Sequence, residues 1–99
     1  MHTKNKYPNQ LLRYRRIAGL SYKQVARILG VRNENIISRW ERGLVMPSGV
    51  NLFKMAVLYG ASLSGLYPDY YERTLTLVAL RREKYSPKRS PPIDRSQER

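Results

Sequence analysis

Apolar residues recur at helical spacing along most of the chain, and no stretch alternates as a half-buried strand would. Tyr7-Pro8 disfavours helix just before the proline. Asn9 then offers an N-cap for a first helix over residues 10–18, which Gly19 stops. Leu20 reads as a buried link and Ser21 as the next cap. In the second helix, residues 22–29, Val25, Ile28 and Leu29 fall at i, i+3 and i+4 beside the small Ala26. Gly30 ends it in the left-handed conformation that glycine adopts cheaply. Val31 plugs the turn. Asn33 caps a third helix running to about Arg42, with Ile36, Ile37 and Trp40 as its narrow stripe and Gly43 at its end.

Residues 44–47 read as a loop, and Pro47-Ser48 announces a fourth helix carrying Leu52, Met55, Ala56 and Tyr59 at helical spacing. Gly60 closes it. Ser62 caps a short fifth helix with Leu63 and Leu66, stopped at Tyr67-Pro68. Residues 69–84 form a sixth, with Tyr71, Leu75, Val78 and Arg82 along one stripe and Leu77 and Leu80 broadening it. From Tyr85 onward Ser86-Pro87, Ser90-Pro91-Pro92 and scattered charges predict a disordered tail. The expected fold is all-α, with a core supplied by Leu12, Val25, Trp40, Leu52 and Leu66. Residues 1–8 form a flexible arm, 9–68 the domain, 69–84 a helix available for dimerisation, and 85–99 the basic tail.

A chain of 99 residues holds one small domain plus tails. With no Cys and a single His2 near the start, a disulfide framework, a thiolate zinc site or any other metal site is not expected. Charge is abundant: 19 Lys and Arg against 7 Asp and Glu give a net +12, which favours a polyanionic partner. The first third concentrates it, since residues 1–29 carry seven cations and no acid. Residues 30–67 carry +2 and residues 68–99 carry +3. An anionic membrane is the weaker partner. No run approaches the ~18 apolar residues of a spanning helix, and the basic start leads into no signal-peptide core. A cytoplasmic protein starting at Met1 is the expectation. No phosphate-binding glycine loop, nucleophile–base pair or metal cluster supports an enzyme, and nothing calls for a cofactor. The eight tyrosines form no stacking platform for single strands.

The informative stretch is residues 20–43: helix, glycine turn, helix. Ala26 lets the two helices approach closely, and Gly30 lets the chain reverse. Val25, Leu29, Val31, Ile37 and Trp40 make their shared seam. In such a helix-turn-helix the second helix can lie in a DNA major groove.

Over residues 12–68 the chain resembles the lambda-repressor-like, XRE/Cro-type helix-turn-helix domain. The matching pieces are Leu12-x-x-Arg15, Leu20-Ser21, Val25-Ala26-x-x-Leu29-Gly30-Val31, Ile37-Ser38-Arg39-Trp40-Glu41-Arg42-Gly43, Pro47-Ser48, and Leu52 through Gly60-x-Ser62-Leu63-x-x-Leu66. The chain departs from the pattern twice. Its turn is one residue longer, with Arg32 the extra residue and Asn33 in the usual capping place, and Tyr22 stands where the family often has Gln. The resemblance implies a five-helix domain, a sequence-specific regulator of transcription acting on duplex DNA as a homodimer, and a structural ion pair between Arg15 and Glu41.

On the third helix Glu34, Asn35, Ser38 and Arg39 are the expected base contacts. Asn bonds adenine bidentately, Arg guanine, and Glu accepts from cytosine; Ile36, partly exposed, suits a thymine methyl. Ser21, Tyr22, Lys23, Arg32, Arg42 and Ser48 are the expected phosphate contacts, which fix register and carry little sequence information. Lys4, Lys6 and Arg13 also read as an ordinary solvated face. A repressor is the leading expectation. An antitoxin that holds a toxin through its sixth helix or tail is the alternative, compatible with operator binding.

Overall fold

The computed structural model describes residues 5–86, and within them six helices follow one another without a strand. They are α1 (Leu11–Ala18), α2 (Tyr22–Leu29), α3 (Asn35–Glu41), α4 (Gly49–Tyr59), α5 (Leu63–Leu66) and α6 (Pro68–Tyr85). Short polar side chains set where the early helices start. Ser21 accepts from the Gln24 N–H at 3.1 Å while Gln24 Oε1 accepts from the Ser21 N–H at 2.9 Å, a reciprocal box that satisfies two orphan donors. Ser48 and Ser62 accept from Asn51 and Gly65 in the same way at α4 and α5.

Two starts, those of α1 and α3, each fall one residue later than the sequence reading, for the same reason, and α6 starts one residue earlier, at Pro68. Asn9 Oδ1 accepts from the Leu11 N–H at 3.0 Å, so the chain enters α1 at Leu11, and Gln10 occupies the cap place without a side-chain bond. Asn33 Oδ1 likewise accepts from the Asn35 N–H at 2.8 Å, and α3 begins at Asn35 with Glu34 before it. Asn reaches the N–H two residues on, which is the asparagine turn. At the far ends α3 closes at Glu41, one residue short of Arg42, and α6 extends through Tyr85.

The core is Leu11, Val25, Ala26, Leu29, Ile37, Trp40, Met55, Leu66 and Tyr67. Leu52, Val31, Leu20, Tyr14 and Tyr59 pack half-buried around it. Three expectations are corrected. Leu11 is 1% exposed and Leu12 is 37% exposed, so the inward residue of α1 is the earlier leucine. A step of one residue turns a helix by about 100°, and both cannot face the core. Ile28 and Leu63 also point outward, each at the flank of its stripe beside a residue that is buried, Leu29 and Leu66. Tyr67, read as a mere helix stop, is in the core, and its hydroxyl is buried without a hydrogen-bond partner among the described residues.

The segment before α1 is stitched to the domain. Tyr7 N–H donates to the Gly43 carbonyl at 3.0 Å, and Asn9 Nδ2 donates to the carbonyls of Tyr7 and Trp40 at 2.8 and 2.9 Å. Gly43 has φ 74°, and a side chain there would overlap Asn5 and meet the Tyr7 carbonyl at 2.8 Å. α6 is different from the rest: it contains no buried residue. Its first turns pack on the domain, with Tyr70 edge-on to Tyr7 and an apolar groove between Met46, Leu52, Leu63, Tyr67 and Tyr71. From Leu75 on every described side chain is exposed. The expected tail beyond Ser86, and the arm before Asn5, lie outside the described residues.

Candidate nucleic-acid interface

The α2–α3 pair is held by packing on one side and by one ion pair at its edge. Val25, Ala26 and Leu29 of α2 meet Ile37 and Trp40 of α3 in the core. Arg15 of α1 reaches the end of α3. Its Nε donates to Glu41 Oε2 at 2.6 Å, its Nη2 to Oε1 at 3.1 Å, and its Nη1 to the Leu20 carbonyl at 3.0 Å. The guanidinium also lies 4.2 Å from the centre of the Tyr22 ring. One side chain therefore joins α1, the α1–α2 link, the first residue of α2 and the last residue of α3. The side chains are 13% and 4% exposed, so the bidentate pair is largely dry. The hydrogen bond to Glu41 raises the Arg15 pKa, and burial works against it. Tyr59, stacked on Tyr14, lies near the same pair. Burial, with the Glu41 charge adding and Arg15 opposing, pushes its phenol up to about 12. Burial alone pushes the Tyr67 phenol up further.

With Ile37 and Trp40 turned inward, the opposite side of α3 faces solvent. Asn35, Ser38, Arg39 and Arg42 share one shallow concavity with Asn33 and Ile36. Asn35, Arg39 and Arg42 are exposed; Ser38 and Ile36 are half-buried. Arg15–Glu41 is the one salt bridge found among the described residues, so Arg39 and Arg42 keep their charge unneutralised there. Glu34 is exposed in front of α3 but does not line the concavity.

The remaining candidates sit on other elements. Ser21, Tyr22 and Lys23 form the start of α2, and Ser48 caps α4; all four are exposed. Each serine oxygen already accepts a backbone N–H, which leaves its hydroxyl proton to donate outward. Arg32 is exposed in the turn. It lies between Gly30, at φ 79°, and Asn33, whose Oδ1 accepts from the Asn35 N–H.

Two residues matter here that the sequence reading passed over, Gln24 and Lys54, and a third, Asn9, has a role beyond the cap expected of it. Gln24 closes the capping box, and the Ser21-x-x-Gln24 spacing is its signature. Asn9 ties the pre-α1 segment to the end of α3. Lys54 Nζ donates to the Leu29 carbonyl at 2.8 Å, fastening α4 to the end of α2. No local pattern marks the bond from Asn9 to Trp40 or that from Lys54 to Leu29, because these partners lie more than twenty residues away.

Among the described residues no helix is long and apolar enough to cross a membrane. A family model described as helix-turn-helix matches residues 11–66. No similar curated protein and no similar solved structure was found. The matched segment runs from the buried Leu11 to the buried Leu66, taking in α1 to α5 and leaving α6 outside. The match covers more than half of the chain, and α2, the Gly30 turn and α3 form its centre. The chain belongs to the helix-turn-helix family of lambda-repressor/XRE type, a family of DNA-binding regulators.

Proposed function

We propose that the protein is a transcription repressor that binds a specific duplex sequence as a homodimer, with α3 in the major groove. The observation that carries this reading is the solvent face of α3. Asn35, Ser38, Arg39 and Arg42 line one concavity and form no salt bridge within the described residues. Amide, hydroxyl and guanidinium groups on one helical face suit the donor and acceptor edges of bases. In this reading Asn35, Ser38 and Arg39 read bases, and Glu34 reads a neighbouring cytosine from the helix start. Ser21, Tyr22, Lys23, Arg32, Arg42 and Ser48 hold phosphates on either side. Arg15 and Glu41 hold α3 at its angle to α1 and α2. The reading requires no cofactor and no catalysis, and it implies a cytoplasmic location.

Selection of bound DNA from a random duplex pool tests it. An enriched palindrome supports a dimeric operator binder. Retained affinity without enrichment overturns sequence-specific binding.

The exposed α6 favours a second reading, an antitoxin that seats a toxin on that helix. A stable complex with the product of an adjacent gene would support it.

A further inference from the structure

α6 offers two apolar strips, and its charges decide between them. Tyr71, Leu75, Val78, Arg82 and Tyr85 recur at i, i+4, i+7, i+11 and i+14, the spacing of a seam between two helices crossing at a small angle. The domain leaves this seam open: Leu75 is 52% and Val78 56% exposed. The other strip, Leu77 and Leu80, is continued by Arg73 and Lys84.

A second copy fits the first seam in one direction only. Side by side in parallel, Arg82 would face the partner's Arg82, and like charges repel. Antiparallel along the second strip, Arg73 would face the partner's Lys84. Antiparallel along the first seam, with Leu75 against the partner's Val78, Tyr71 meets the partner's Arg82. A cationic side chain over a phenol ring is attractive, and α6 already makes such contacts within itself. Arg73 lies 5.2 Å from the Tyr70 ring centre, and Lys84 lies 5.4 Å from that of Tyr85. The same register brings Tyr85, 74% exposed, beside the partner's Pro68, the first residue of α6.

We propose that α6 pairs antiparallel with α6 of a second copy, Leu75 opposing the partner's Val78 and Tyr71 the partner's Arg82. The proposal rests on the homodimer reading above and gives that dimer its interface and geometry. An 18-residue helix is about 27 Å long, so antiparallel pairing holds the two domains apart by that order. That is close to the ~34 Å that separates successive major-groove half-sites. Parallel pairing would bring the two attachment points to about 10 Å.

The chain contains no cysteine, which makes cross-linking clean. Full-length Leu75→Cys and Val78→Cys proteins are oxidised mildly, separately and as a mixture, without DNA. Wild type is sedimented alongside, and circular dichroism checks each variant. The antiparallel register gives a 75–78 cross-link in the mixture at least tenfold faster than either protein links to itself. In that register two copies of position 75 lie too far apart for a disulfide. Fast self-linking of each variant alone would establish a parallel pair and overturn the proposal while leaving the homodimer standing. A dimer that links in neither case moves the interface off this seam and overturns it as well. A wild-type monomer at tens of micromolar removes the homodimer together with its interface. A charge swap provides a check independent of cysteine. Tyr71→Arg and Arg82→Glu should each weaken self-association, and mixing them should restore it as a heterodimer. Recovery places residues 71 and 82 in the seam, with the direction read from the cross-links, and failure of the mixture to recover association overturns the proposal. DNA selection remains a separate measurement, so loss of either result is told apart from loss of the other.

Discussion

Arg15 touches four parts of the fold through one guanidinium, and Glu41 is its nearly buried counter-charge. Glu41→Ala leaves that cation without its partner. It should destabilise the domain by about 3 kcal/mol, the lower end for a broken buried pair, because Arg15 retains some solvent. Urea unfolding checks this; an unchanged midpoint would mean that the pair does no net work. Replacing both residues with matched apolar side chains should be far milder. Gly43 carries two demands at once, a left-handed backbone and no room for a side chain. Gly43→Ala should cost more than about 2 kcal/mol, whereas Gly30→Ala, with open space around it, should cost only the backbone term of about 1 kcal/mol. Equal losses at the two sites would show that the Asn5–Tyr7 segment yields freely. Tyr59 and Tyr67 set the alkaline limit. Burial favours their neutral phenols, so the folded state holds more protons than the unfolded chain once the pH passes 10. Stability is therefore full below pH 10 and falls as the pH rises towards and beyond about 12. The Tyr59→Phe/Tyr67→Phe double variant should flatten that fall in melting curves taken between pH 9 and 11.

At the scale of the helix, α3 separates an inward stripe from an outward one, and the two respond differently to substitution. Arg39→Ala leaves Ile37 and Trp40 packed. It should weaken binding to the preferred DNA by about 1–3 kcal/mol and relax the choice at one base position. A uniform loss across sequences would reassign Arg39 to the phosphates. The two faces of α3 could be read from the chain because Ile37, Trp40 and the polar residues between them keep strict helical spacing. The type and order of all six helices were readable for the same reason, and the bounds of α2 agree to the residue because Ser21 and Gly30 mark both ends locally. Elsewhere the bounds shifted where Asn9 and Asn33 bond two residues ahead, a choice that the backbone makes only in its folded setting. Leu11 and Leu12 are equivalent in composition, and only the direction of α1 against the other helices decides which is buried. The bonds from Lys54 to Leu29 and from Asn9 to Trp40 could not be foreseen, since both acceptors are distant carbonyls and every residue has a carbonyl.

Across the whole molecule the charge is large, and the domain that would meet DNA keeps exposed cations on several helices. Duplex binding should therefore weaken steeply with salt as phosphate neutralisation releases counterions. Lys23→Ala should reduce affinity for all sequences alike and flatten the slope of log affinity against log salt by about one unit. Titrations at several salt concentrations measure both, and an affinity indifferent to salt would rule out the phosphate contacts. The bareness of α6 has a consequence of another kind. A helix whose later turns touch nothing is held only by its own hydrogen bonds, and an isolated stretch of this length is marginal in water. Its amide protons beyond Thr74 should exchange with solvent within moments in dilute solution, while those of Val25 and Ile37 stay locked. Pairing would slow that exchange, so deuterium uptake along α6 becomes a gauge of how many copies of the chain are present. If only paired chains hold an operator, occupancy grows with the square of chain concentration at low abundance, and a twofold fall in concentration releases more than half of the occupied sites.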